Sequence, residues 1–214
     1  MAADKTGLST MMESLFDNGE FADLIVRAGD TEFKVHRSIV CTASSWFRAA
    51  CTRDFQESKT RMIFLQESAA VVKSLLLFLY GLQHRIREQL VGSFGERIKL
   101  AVCIHMAGDK YVCPALSAYM AEELRFQLRF TGDVNEQELV DVAAWAYSQT
   151  EGQITDQIYQ SLTRATTQRL HSLVAKDESW QRIVSCEAYV SDVMRCVATS
   201  RGFFQLSDIV RKTL

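Results

Sequence analysis

The chain has 214 residues, of which 48% are hydrophobic and 23% charged, and it carries a formal net charge of −2. That is enough chain to bury a real core, in one large domain or in one of about 100–150 residues with a smaller companion, and the composition is that of an ordinary soluble globular protein. The near-neutral balance and the lack of a basic cluster exclude any overall pull towards nucleic acid or an anionic membrane.

The opening MAADKTGLSTMMESLF lacks the charged and then apolar pattern of a secretory signal. The longest apolar run, SLLLFLYGL, falls far short of the roughly 20 residues that span a bilayer. The six cysteines, at 41, 51, 103, 113, 186 and 196, are therefore expected to be reduced thiols of an intracellular protein, in cytoplasm or nucleus. Pro114 is the single proline, so the chain is expected to be mostly helical with short connections.

The first periodic stretch is Leu8, Met11, Met12, Leu15 and Phe16, one face of a helix, with Thr10 and Glu13 as a candidate capping box and Asp17-Asn18-Gly19 as its stop. Residues 21–28 alternate, with Leu24 and Val26 on one face and Ile25 on the other; Gly29-Asp30 then reads as a hairpin turn into Phe33 and Val35. Ser38 is a candidate N-cap for a short helix from Ile39, and Ser44 or Ser45 for a second containing Trp46, Phe47 and Ala50. RMIFL, 61–65, reads as a third strand, and 68–82 as a helix apolar almost all round, hence buried, with Gly81 at its stop. Residues 83–96 read as a polar loop with a turn of helix, followed by helices over 97–109 and 114–128, with Pro114 in a first turn.

Thr131-Gly132-Asp133 is the candidate domain boundary, dividing 1–130 from 131–214. Beyond it the pattern holds helices only: one over 135–148, one carrying Ile154, Ile158, Leu162 and Ala165, one carrying Ile183, Cys186, Val190, Val193 and Val197, and a short tail over 203–212. The fold class is α+β, short strands with a helical cluster, followed by an all-α extension.

In this order the motifs resemble a BTB/POZ domain. They are Asp23-Leu-Ile-Val, then Phe33-x-Val35-His36-Arg37, Ser44-x-x-Phe47, Phe55-x-Glu57-Ser58, a strand, an apolar helix ending Leu79-Tyr80, and Ala107-Gly-Asp109-Lys110-Tyr111-x-x-Pro114-Ala-Leu116. No one piece is specific, but together, in this order over roughly 8–128, they are. The stretch 83–96 departs from the family in being longer and more polar, and kelch repeats, zinc fingers and a MATH domain are missing from the sequence. The helices after 131 resemble more weakly the BACK-like extension that follows BTB in adaptor proteins.

The resemblance implies roles. The N-terminal helix, with Leu8, Met11, Met12, Leu15 and Phe16, helps build a two-fold dimer in the family, and positions matching Asp23 and Arg37 form a charged pocket near that interface. An aspartate opening an apolar strand is costly to bury unless paired; its other reading is a surface acid beside a solvated arginine. Phe55-Gln56-Glu57 matches the hydrophobic-x-Glu motif with which BTB adaptors bind cullin-3, an aromatic anchor with a polar contact; alternatively Phe55 folds back on its own domain.

His36 has no nucleophile or carboxylate at a motif spacing, so it is expected to close a strand rather than to do chemistry. Cys103, His105 and Cys113 have no recognised zinc-ligand spacing and are expected in the core, as are Cys186 and Cys196. Phosphate-loop, nucleophile-elbow and HExxH motifs are absent. No catalytic, cofactor or metal residue is therefore expected. The reading is a homodimeric protein-interaction module: a substrate adaptor of a cullin-3 ubiquitin ligase with an unidentified protein substrate, no direct nucleic-acid contact and no membrane contact. A BTB dimerisation scaffold without cullin binding, for example in transcriptional regulation, is the alternative. An enzyme using Cys103 and His105 is the third reading.

Overall fold

The computed structural model describes residues 4–52, 60–130, 134–149 and 156–199. They fall into two units, one made of residues 1–92 with 100–120 and the other of 93–99 with 121–214.

Helix α1 spans Asp4–Asn18. It begins six residues before Thr10, so the expected capping box does not form; Glu13 instead sits on a helix face, where it accepts from Ser9 Oγ at 3.5 Å. Gly19, at φ +59°, ends the helix as expected, its amide donating to the Leu15 carbonyl at 3.1 Å.

Strands β1 (Leu24–Ala28) and β2 (Thr31–Val35) form the expected antiparallel hairpin, with Leu24, Val26 and Ala28 buried along one face. Its two-residue loop needs a left-handed first position, and Gly29 supplies φ +57°. Strand β3 (Met62–Leu65) adds to the other side of β1 in parallel, giving the order β2-β1-β3. A parallel neighbour demands a long crossover. Helices α2 (Arg37–Ala43) and α3 (Ser45–Thr52) lie within it. Ser44 caps α3 through its hydroxyl, which accepts from the Phe47 amide at 3.3 Å and donates to the Tyr111 carbonyl at 2.7 Å. Ser38 is not the cap of α2, which already starts at Arg37.

Helix α4 (Ala69–Leu79) is the centre of the first unit. Val72, Leu75, Leu76 and Leu77 are wholly buried, so its apolar character all round reflects contact on every side. Gly81, at φ +76°, turns the chain out of it. The polar stretch that follows is more ordered than expected. A 3₁₀ helix over Gln83–Gln89 is pinned by Leu82, Ile86 and Leu90, all buried at four-residue intervals.

Helix α5 (Phe94–Lys110) starts three residues before the expected position, because Ser93 and Glu96 make a reciprocal capping box. The Ser93 amide donates to Glu96 Oε2 at 2.8 Å and the Glu96 amide to Ser93 Oγ at 3.3 Å. Helix α6 (Pro114–Phe130) begins at the proline, whose missing N–H is no loss in a first turn.

In the second unit Asn135 caps α7 (Glu136–Tyr147), its side chain accepting from the amides of Gln137 and Glu138. Helices α8 (Asp156–Gln168) and α9 (Leu170–Val174) follow. The single helix expected through Ile183 and Val197 is two, α10 (Asp177–Val184) and α11 (Glu187–Thr199). The residues that reach the core are Ile183, Tyr189 and Val193, each at 0% exposure. At 100° per residue, six residues of unbroken helix would turn Tyr189 about 120° away from the Ile183 face. The break at Ser185 and Cys186 removes that conflict. Half-buried Tyr147 stacks on the buried Tyr189 at 5.0 Å, with its hydroxyl donating to Asp192 at 2.8 Å. No described helix is long and apolar enough to cross a membrane. The expected boundary residues 131–133 and the tail 203–212 lie outside the described residues, as does Ile154.

Gly108 lies where α6 packs tightly on α5: a Cβ there would come within 2.4 Å of Ser117 Oγ and 2.8 Å of its amide nitrogen. Gly108→Ala is expected to cost about 1–3 kcal/mol by forcing backbone apart. A urea titration followed by circular dichroism checks this, and an unchanged midpoint would contradict it.

Candidate interaction surface

The site begins where β2 hands the chain to α2. The Asp23 amide donates to the Val35 carbonyl at 3.2 Å, one step beyond the β1–β2 ladder, so Asp23 lies beside the residues that open α2. Its Oδ1 accepts from the Arg37 amide at 2.8 Å. The cap that α2 lacks in its own sequence thus comes from a residue fourteen positions away, and a carboxylate there also suits the positive end of a helix. Sequence reasoning paired these residues through their charges. The structure pairs them through the main chain: Asp23 is exposed, and the Arg37 guanidinium donates to the Cys51 carbonyl at 2.6 Å.

His36, between them, is buried at 7% exposure. Its Nε2 lies 2.6 Å from the Glu20 carbonyl, which can only accept, so Nε2 carries the proton. Nδ1 then accepts from the Tyr80 hydroxyl at 2.7 Å, and that same hydroxyl accepts from the His36 amide at 2.9 Å. Both imidazole nitrogens are used, Nδ1 tying the strand–helix junction to the end of α4 and Nε2 tying it to the loop after α1. Burial pushes the Tyr80 hydroxyl up to about 12, against the downward pull of the His36 amide, and the Asp23 charge adds to the rise.

Tyr80 also receives α1. The Phe16 ring meets it edge-on at 5.1 Å, and the Arg85 guanidinium lies 5.9 Å from the centre of the Phe16 ring while it grips both Asp17 oxygens at 3.0 Å. The C-terminal half of α1 is therefore fastened to its own unit. The N-terminal half is open: Leu8 and Met11 are 55% and 50% exposed, and Leu8 and Met12 border a cavity of about 370 Å³ whose other wall is Ile39, Leu79 and Tyr80. Of the five apolar residues expected on one dimer face, Leu8 and Met11 are presented to solvent, Met12 and Leu15 are half-buried, and Phe16 packs inward.

Sequence reading missed Phe21, 83% exposed at φ +61°, a backbone conformation rare for an aromatic residue. It also missed Tyr80 as the partner of His36. Phe55 and Glu57 lie outside the described residues. His105 is held by packing between α5 and α6, its Nδ1 donating to the Ser117 carbonyl at 2.8 Å, and burial raises the Cys113 thiol.

The family model of the BTB/POZ domain matches residues 12–128, more than half of the chain. The chain belongs to the BTB/POZ domain family. Kelch-like protein 40a of Danio rerio is similar to it, 29% identical over 115 residues that make up 53% of this chain and 17% of that protein. Kelch-like protein 40 of Homo sapiens is 34% identical over 77 residues, 36% of this chain and 12% of the relative, and Kelch-like protein 34 of Homo sapiens 36% identical over 74 residues, 34% and 12%. The matched part is thus less than a fifth of each relative's own length. A BTB/POZ domain is a protein-interaction module, and the small sheet with its helical cluster agrees with that fold.

Asp23→Ala is expected to lower stability by about 0.5–2 kcal/mol through loss of the α2 cap, and Asp23→Asn by less, since an amide oxygen still accepts. Denaturant titration of the pair decides it; equal losses would mean that charge, not the cap, matters. Tyr80→Phe is expected to cost about 1–3 kcal/mol by leaving the His36 groups without a partner. Because folding raises the Tyr80 pKa from 10.0 to about 12, its contribution is complete below pH 10 and lost as pH climbs towards 12. Stability curves on both sides of pH 10 should therefore fall less steeply for Tyr80→Phe than for the parent.

Proposed function

We propose that this protein is a homodimeric substrate adaptor for a cullin-3 ubiquitin ligase, acting inside the cell and without catalytic residues of its own. The observation that carries the self-association is the open end of α1. Leu8 and Met11 stand in solvent on a helix whose other end is locked down through Phe16 and Asp17, so the exposed apolar surface is held rigid. A two-fold pairing needs one self-complementary patch, and a preorganised helix face spares the ordering entropy of association. Asp23 and Arg37 support that surface by fixing where β1 and α2 start.

The cullin contact rests on Phe55-Gln56-Glu57 in the sequence and on the family. Phe55 would fill an apolar pocket on the cullin and Glu57 would add a charged contact at its rim. Residues 131–214 would extend the platform as a BACK-like segment.

The double variant Leu8→Glu, Met11→Glu is expected to convert a dimer into a folded monomer in sedimentation equilibrium; a parent already monomeric would remove the self-association. Titrating the parent with the N-terminal region of cullin-3 is expected to show sub-micromolar binding that Phe55→Ala loses while keeping its circular dichroism. Binding by neither protein would leave the dimerisation scaffold without cullin as the reading.

A further inference from the structure

We propose that the groove between the C-terminal half of α6 and helix α8 captures an acidic peptide segment of a partner protein. The groove lies within the second unit, and neither the α1 residues nor Asp23 and Arg37 line it.

Two helix faces build it. Arg125, Leu128 and Arg129, spaced i, i+3, i+4, come from α6; Gln157, Gln160, Arg164, Ala165 and Gln168 repeat along one side of α8. They enclose a cavity of about 310 Å³. Leu128 and Ala165, each 3% exposed, form an apolar floor. Arg125, Arg129 and Arg164 stand exposed around it, and no carboxylate lines the cavity among the described residues. Arg125 has an exposed ion pair with Glu122 at 2.8 Å, which is weak in water and easily exchanged for a ligand. Three guanidiniums over an apolar floor, on a chain of net charge −2, make a local positive field that overall charge conceals.

The occupant follows from the shape and the lining. From Gln157 to Gln168 the α8 wall runs about 16 Å, the length of roughly five extended residues. Guanidinium forks match carboxylates two bonds at a time. The three glutamine carboxamides both donate and accept, which suits alternating peptide N–H and C=O groups and is wasted on a bare anion. The floor takes an apolar side chain. A nucleic-acid strand needs a longer run of cations than three, and a flat membrane surface does not reach a floor set between two helices.

The test uses the full chain. It is panned against a random peptide library displayed on phage, and a selected peptide is then titrated by fluorescence anisotropy beside its Glu-to-Gln counterpart. The expected result is enrichment of acidic residues next to an apolar one, with affinity lost by about tenfold or more in Arg164→Glu and in Arg125→Glu, Arg129→Glu. Arg182→Glu, outside the groove, is expected to bind like the parent. All of these arginines are exposed, so folding is checked by thermal unfolding, and Arg164→Gln is read in place of Arg164→Glu should the reversal unfold. No acidic enrichment, an equal loss in Arg182→Glu, or tighter binding of inorganic phosphate or a single-stranded DNA oligomer would each overturn the proposal. Phe55→Ala, the variant that tests the cullin contact, is expected to bind the acidic peptide like the parent, so failure here and failure of the adaptor reading are told apart.

Discussion

The hydroxyl of Tyr80 is where the first unit is tied together. It stands at the end of α4, the helix buried on all sides, and it both donates to and accepts from His36 at the junction of β2 and α2. Its ring receives Phe16 of α1. One residue therefore sets the position of the sheet, of the helix pair and of the N-terminal helix relative to the core. An aromatic side chain can do this because it has a large apolar body to bury and one polar tip that must be satisfied.

The second unit uses the same device with different partners. Half-buried Tyr147 stacks on the buried Tyr189, and the two direct their hydroxyls to Asp192 and Thr166. Burial pushes both hydroxyls well above the ordinary tyrosine range. Such satisfied polar pairs add a defined geometry to the buried aliphatics around them, since displacement would leave a hydroxyl without a partner.

The two surfaces proposed for binding differ in kind. The open end of α1 exposes Leu8 and Met11 on a helix fastened at its other end through Phe16, the ground on which a second copy is proposed there. The groove along α8 is cationic around an apolar floor, which suits a chain of opposite charge. Titratable groups elsewhere, such as His36 and Glu67, have their polar atoms engaged in joining elements. Burial raises the Glu67 carboxyl, but hydrogen bonds from Lys110 and Tyr111 outweigh it and hold the group low.

Local pattern made most elements legible. The hairpin at Gly29, the helix over Leu8 to Phe16, the buried helix after Ser68 and the start at Pro114 all lie where turn chemistry and periodicity put them, because backbone conformation and the burial of one face are decided within a few residues. The family was legible for the same reason, as an ordered series of such elements. Helix starts were less so where the cap comes from elsewhere: α2 is capped by Asp23, across fourteen positions, and only the folded hairpin brings that carboxylate to Arg37. The link of His36 to Tyr80 spans 44 residues and leaves no periodic trace. Which of the α1 residues face solvent, where the last helix breaks, and that Arg125, Arg129 and Arg164 converge were likewise settled by packing, since charges on separate helices gain a common field only when those helices lie side by side.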